Sequence, residues 1–219
     1  MQRRRVLTGS NLLVALIGFL FLVSLSVVLV LNLRSIYYFD IEYLDLPGQT
    51  GLSAEIIKKN YDALIDYNLV TSGLKELEFP SFPMSESGRI HFAEVKQIFV
   101  VIQHLLAVSG VFWLIGLWGK IGRRDYGSLK LLSIFTFAIP TVLGALAFFW
   151  WDQVFVLFHK IFFNNDYWLF DPSTDPVIWI LPDMFFGHCA AAILIFILLG
   201  GVVVGVIYRI TTRKYRYRR

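Results

Sequence analysis

Residues Leu12–Leu33 read LLVALIGFLFLVSLSVVLVLNL, twenty-two positions without one Asp, Glu, Lys or Arg. A helix needs ~20 apolar residues to cross a bilayer, so this stretch commits the chain to a membrane. Three more runs meet the same criterion: Gln97–Trp118, Leu129–Trp151 and Met184–Tyr208, whose one charge is Lys130 at the start of its run. The first run is too long for a secretory signal core and lacks a small-residue cleavage site, so it reads as a retained helix. The expected fold is an all-α integral membrane protein forming one membrane domain over residues 1–219. It has four transmembrane helices at about 12–33, 97–118, 129–151 and 184–208, with outer cap segments at about 34–96 and 152–183.

Charge sets the expected orientation, because inner loops collect Lys and Arg. With the N-terminus inside, the inner pieces hold Arg3, Arg4 and Arg5, then Lys120, Arg123, Arg124 and Lys130, then the six basic residues of Arg209–Arg219. That is 13 of the 20 basic residues against one acid, Asp125, a balance of +12. The outer pieces hold the other 7 with 15 of the 16 acids, a balance of −8, so both termini are expected inside. The net charge of +4 therefore reflects the two faces of a membrane, and no nucleic-acid partner is implied. A single cysteine, Cys189, excludes an intrachain disulfide, which leaves the outer segments to be held by packing.

The first outer segment carries a helix signature. Ser53 reads as N-cap before Ala54-Glu55, with Leu52 able to staple onto Ile57. Ile57, Tyr61, Leu64, Ile65 and Asn68 then share a helical face, expected to lie on the membrane or on the spanning helices, and Gly73 is expected to close the helix. Phe79-Pro80-Ser81-Phe82-Pro83 reads as an extended linker. From Ser87 the chain re-enters helix, with His91 and Glu94 on one face about a turn above the hydrocarbon.

The second outer segment is the densest in chemistry. Ten of the 32 residues from Phe155 to Phe186 are Phe, Tyr or Trp, interleaved with His159, amides and carboxylates. Such a mixture suits polar chemistry beside lipid chains. Each feature also has a structural reading. Interfacial histidines are often hydrogen-bonded anchors, and Trp150, Trp151 and Trp179 suit an interface belt. His104, mid-helix, suits a helix–helix hydrogen bond, and His188 at the head of the last helix suits a structural role. Asp171-Pro172 and Asp175-Pro176 each look like an N-cap with Pro at the first helical position.

Two motifs raise His91 and His159 above that background. One is Phe158-His159-x-x-Phe162-Phe163 with Asn165-Asp166-x-Trp168, Asp171-Pro172, Asp175 and Leu181-Pro182-x-x-Phe185-Phe186. The other is His91-x-x-Glu94-Val95-Lys96. Together they resemble the lipoprotein intramolecular transacylase (Lit) family of Gram-positive bacteria, over nearly the whole chain. Glu94 stands where the family motif has Asp, and Asp183 where it has Glu, a difference of one methylene each. The resemblance implies an acyltransferase of the bacterial cell membrane, multi-pass, with its active site on the extracellular side. It also implies that the sn-2 ester acyl chain of a diacylglyceryl-modified lipoprotein moves to the α-amine of its lipidated cysteine, giving the lyso form. The family's two functional histidines map onto His91 and His159 as catalytic residues.

The chemistry suits those residues. Histidine is the side chain whose unperturbed pKa lies near neutrality, and two imidazoles can serve an attacking amine and a leaving glycerol oxygen as base and acid. Phe158, Phe162, Phe163, Asn165, Asp166, Trp168, Phe185 and Phe186 are the expected substrate-binding residues, with membrane lipids as surroundings. No cofactor or metal is expected. Two alternatives stand beside this reading. One is a metal-dependent hydrolase using His91, Glu94 and His159 as ligands, although the chain has no His-Glu-x-x-His. The other is a non-enzymatic scaffold or sensor, which would leave the paired polar-aromatic motifs unexplained.

Overall fold

The structure is a computed structural model and describes residues 6–216, with the side chains of 214–216 excepted. The basic lead Arg3–Arg5 lies outside the described residues, as do Arg218, Arg219 and the side chains of Lys214 and Arg216. Eight α-helices follow in order among the described residues: α1 Gly9–Asn32, α2 Ser35–Tyr43, α3 Leu46–Thr50, α4 Ala54–Asn68, α5 Glu86–Gly122, α6 Gly127–Phe149, α7 Trp151–Phe162 and α8 Asp183–Arg216. A 3₁₀ helix at Pro176–Ile180 precedes α8.

Four helices are long and apolar enough to cross a membrane: Gly9–Asn32, Glu86–Gly122, Gly127–Phe149 and Asp183–Arg213. Helix α5 has 37 residues, about 55 Å at 1.5 Å per residue, whereas the hydrocarbon core is ~30 Å thick. Its charge-free stretch starts only at Gln97, so the turns Glu86–Lys96, with His91, stand beyond the spanning part.

The described residues fall into two compact units. One, the bundle unit, gathers those of Met1–Val27, Gln103–Leu146 and Ala192–Arg219. Its helices pack through small residues: a Cβ on Gly18 would collide with the Trp113 indole and Leu132, one on Gly116 with Val14, and one on Gly201 with Thr136. Without a hydrophobic drive between helices in lipid, such close approach supplies the packing energy. The outward surface is correspondingly apolar, Phe112, Leu114, Ile115 and Val142 all being exposed. Asp125, the lone acid of the loop between α5 and α6, accepts from Asn11 Nδ2 at 3.2 Å and from the Gly127 amide at 3.1 Å, with Lys120 Nζ 3.3 Å away. Although burial opposes it, these donors hold its carboxyl below the usual range. Helix α6 runs unbroken through Pro140, although proline there removes one backbone donor.

The other unit, Val28–Ile102 and Ala147–Ala191, carries both candidate histidines. Its core is aromatic. Tyr37 stacks on Tyr61 at 3.7 Å, Phe185 meets both rings edge-on, and the Tyr37 hydroxyl donates to the Ile180 carbonyl at 2.6 Å. Helix α4 starts as the sequence predicts, the Ser53 hydroxyl accepting from the Ile56 amide. Its face of Ile57, Tyr61, Leu64, Ile65 and Asn68 is buried against α2, α3 and the 3₁₀ turn and, through Tyr61, against Phe185 at the head of α8. It ends at Asn68, where Leu69 turns extended, so Gly73 (φ +67°) serves the following turn instead.

Helix α7 was not evident in the sequence. Trp150 leaves helical geometry (φ −138°, ψ 47°) and splits the run expected to continue to Trp151. Around α7, Leu157, Phe158, Ile161 and Phe162 are exposed, while Trp151, Phe155 and His159 follow one another at i, i+4 spacing.

Candidate active site

His91 is placed by the first turns of α5. The Ser85 hydroxyl caps that helix, accepting from the Gly88 amide at 3.0 Å. The buried Asp175 carboxylate accepts from the Ser85 amide at 2.8 Å and from the Thr174 hydroxyl at 2.8 Å. A Cβ on Gly88 would collide with that carboxylate, so glycine is required for the close approach. The Asp-Pro reading is thus half right: Pro176 opens the 3₁₀ helix, but Asp175 caps no amide there because its carboxylate is committed to Ser85. Asp171 accepts from the Ser173 amide and hydroxyl and makes a turn, not a helix start.

His159 sits in the last turn of α7, its Nδ1 2.8 Å from the Phe155 carbonyl. A carbonyl only accepts, so Nδ1 carries the proton and Nε2 is left with a lone pair. The two imidazoles face one another, with ring centroids 6.3 Å apart and planes 26° from parallel. Phe163 lies against both, 4.7 Å from His91 and 5.7 Å from His159. Trp168 covers His159 at 4.6 Å, nearly parallel, Phe155 closes in at 4.3 Å, and Phe170 meets His91 edge-on at 5.4 Å. Packed among rings, His91 buried and His159 half-buried, both imidazoles lose solvation of the charged form. Burial, helped by the neighbouring His159, pushes His91 down to about 4. Burial also lowers His159, against the opposing pull of the Phe155 carbonyl and Asp183.

One turn after His91, the Glu94 carboxylate accepts from Asn165 Nδ2 at 2.9 and 3.2 Å. Asn165 Oδ1 in turn accepts from the Tyr167 amide at 3.0 Å, which ties the 163–170 loop to α5.

The structure therefore brings Phe163 and Trp168 to the histidines and Asn165 to Glu94, one turn from His91. Phe158 meets His159 edge-on but is half exposed, and Phe162 packs on Phe158 while exposed itself. Phe186 reaches Phe155, Phe185 belongs to the Tyr37–Tyr61 core, and Asp166 is exposed. Phe155 and Phe170 are site walls that sequence reasoning passed over. The i, i+4 spacing of Phe155 and His159 was the available signal. His188, read as structural, pairs through Nδ1 with Asp40 Oδ1 at 2.7 Å, and Asp40 is completely buried. Among the described residues, no group of three or more His, Cys, Asp or Glu could hold a metal ion.

Fold and site together define the class: a multi-pass, membrane-integral helical protein whose distinguishing chemical feature is a pair of imidazoles among aromatic rings. The family model described as lipoprotein intramolecular transacylase Lit matches residues 12–186, which include both histidines. Among solved structures, the membrane-integral lipoprotein intramolecular transacylase Lit from Bacillus cereus, determined in meso, is 36% identical and superposes with a TM-score of 0.92. That match covers 95% of this chain and 96% of the other. The same protein with one histidine replaced by arginine gives 0.87 at 35% identity, covering 96% of this chain and 93% of that one. With alanine instead it gives 0.86 at 36% identity, covering 95% and 94%. No curated protein sequence matches the chain. The chain belongs to the lipoprotein intramolecular transacylase (Lit) family and is a membrane acyltransferase.

Proposed function

We propose that this enzyme moves the sn-2 acyl chain of a diacylglyceryl-modified lipoprotein onto the α-amine of its lipidated cysteine, leaving the lyso form, and that His91 and His159 carry the proton traffic. The observation that carries the mechanism is the stacked pair of imidazoles 6.3 Å apart on two separate segments, His91 buried and His159 half-buried.

From the amine through Cα, Cβ, sulfur, two glycerol carbons and the ester oxygen to the acyl carbon, attack closes an eight-membered ring. Closing it is a matter of orientation, which can supply ~7–11 kcal/mol of the barrier. The amine must be neutral to attack, yet an α-amine has a pKa of about 7.7–8.0. His159 Nε2, its lone pair fixed by the Nδ1–Phe155 hydrogen bond, takes the proton as the C–N bond forms. When the acyl C–O bond breaks, that proton passes to the glycerol oxygen. His91, held neutral by burial, donates a hydrogen bond to that oxygen as charge builds on it, a part a neutral imidazole can play. Phe155, Phe163, Phe170 and Trp168 keep bulk water from the ester.

The site works at the outer surface, on the argument that 13 of the 20 basic residues lie on the opposite side. The test is fragmentation mass spectrometry of a reporter lipopeptide made with this chain or with His159→Ala. Transfer within one molecule leaves total mass unchanged, so fragments must locate the acyl group. An N-acylated cysteine on a singly acylated glyceryl, made only by the unaltered chain, is the expected result. A free amine on an intact diacylglyceryl would mean a scaffold. Loss of an acyl chain without N-acylation would mean a hydrolase.

A further inference from the structure

Attack of the amine forms the C–N bond and drives the carbonyl π pair onto oxygen. Collapse restores the C=O bond and expels the glycerol oxygen. In the reading above both histidines are committed, His159 to the moving proton and His91 to the leaving oxygen. The carbonyl oxygen, which carries the negative charge of the intermediate, still lacks a donor. In acyl transfer such a donor must already be in place and out of water.

The walls around the two imidazoles offer few candidates. Phe155, Phe163 and Phe170 have no side-chain donor. The Asn165 amide is spent on the Glu94 carboxylate at 2.9 and 3.2 Å. His91 Nδ1 is buried without a hydrogen-bond partner, but that imidazole already serves the leaving oxygen; among the wall residues one group remains, Trp168 Nε1, fully shielded from solvent and likewise without a partner. A buried donor left unpaired calls for an explanation. The indole lies over His159 at 4.6 Å, 29° from parallel. Its N–H lies in the plane of the indole, so it does not point into the imidazole face that the ring covers. The loop that carries it is anchored to α5 one turn from His91, through Asn165.

We infer that the Trp168 indole N–H is the donor that receives the carbonyl oxygen of the migrating acyl group as it becomes an oxyanion, making Trp168 a third catalytic residue beside the two histidines. The inference rests on the transacylase reading.

The test replaces Trp168 in the full-length enzyme by β-(3-benzothienyl)alanine, which keeps the ring area and the stacking but substitutes sulfur for N–H. Loss of a single such donor lowers kcat by about 10²-fold or more. With a diacylglyceryl-cysteine lipopeptide as substrate, kcat should fall to that extent while KM stays nearly constant. Trp168→Phe should lose at least as much, and its unfolding midpoint reports whether stacking alone was disturbed. An independent readout uses indole ¹⁵N-labelled Trp168 with a lipopeptide whose ester is replaced by a phosphonate, a tetrahedral anion. The Nε1–H resonance should move downfield with the phosphonate and much less with a planar amide analogue. An unchanged kcat, a loss confined to KM, or an indole resonance indifferent to the phosphonate would each overturn the assignment. If the unaltered chain converts the lipopeptide and the sulfur isostere matches it, only Trp168 is wrong. If the unaltered chain converts nothing, the transacylase reading fails first.

Discussion

The two units of this protein are stabilised by different means. In the bundle unit, glycines at 18, 116 and 201 let helices meet at distances that no side chain would permit, and the outward faces are apolar. In the unit that carries the histidines, the core is built of stacked tyrosines, a buried Asp40 carboxylate paired with the partly exposed His188, and carboxylates that hold backbone amides. The first solution suits a solvent of lipid tails, where polar groups are a cost and contact distance counts. The second suits a site where charge must move, and it fixes rings and loops by directional bonds. Each unit should accordingly be vulnerable to a different kind of substitution.

The largest effect should come from the histidines. Under the proposed mechanism His159→Ala removes the base and His91→Ala the donor to the leaving oxygen, and such groups contribute ~10²–10⁴-fold in rate. Initial rates on a lipopeptide should fall into that range while the unfolding midpoint in detergent barely moves. The pH profile sharpens the assignment. His159 accepts a proton only when neutral, so kcat should decline as pH falls through its folded pKa. Burial puts that midpoint below the ordinary imidazole value. An acid limb centred above about 6.5 would contradict His159 as base.

Next in size is the loss of a buried partner. His188→Leu leaves the Asp40 carboxylate, completely buried, without the imidazole at 2.7 Å. Leaving a buried acceptor unpaired costs ~1–3 kcal/mol, and since the imidazole is about one-third exposed water can replace part of it. The double variant Asp40→Asn/His188→Leu should recover much of it, and denaturant unfolding of the four-membered cycle measures the coupling.

In the bundle unit the equivalent injury is steric. Gly201→Val pushes methyl groups into Thr136, and overpacking of this kind costs ~1–3 kcal/mol. Thr136→Ala should relieve part of it. If polar deletions such as Ser24→Ala or Ser26→Ala proved costlier, the contrast between the units would collapse. Both hydroxyls only bond back to carbonyls of their own helix.

The same contrast governs what could be read from the sequence. Spanning helices are written in local composition, so four runs of about twenty apolar residues gave four spans. The Ser53 cap and the buried face of α4 were legible for the same reason, being set by residues within one or two turns. Helix α7 was not, because Trp150 breaks the helix without Pro or Gly and the apolar run continues on both sides. Aromatic density between Phe155 and Phe186 pointed to a site but not to its geometry. Whether a ring covers His159, as Trp168 does, or enters the Tyr37 core, as Phe185 does, depends on how the loop closes. The Asp40–His188 pair joins residues 148 positions apart, and no local pattern announces it.

The smallest effect expected is also the most informative about how the site is held. Asn165→Ala cuts the tie between Glu94 and the 163–170 loop. Both partners are part-exposed, so water can take over and the net loss should be about 1 kcal/mol. If the tie positions Trp168 over His159, that loss should surface in kcat, as a drop of about five-fold, since each 1.36 kcal/mol of barrier is tenfold in rate. Asn165→Asp discriminates further. It sets a second carboxylate against Glu94, converting an anchor into a repulsion, and should slow the enzyme more than alanine does. Equal rates for the two variants would mean that the loop is held by the packing of Phe163 and Phe170 alone. The unit that carries the site would then owe its order to contact, as the bundle does, and not to directional bonds.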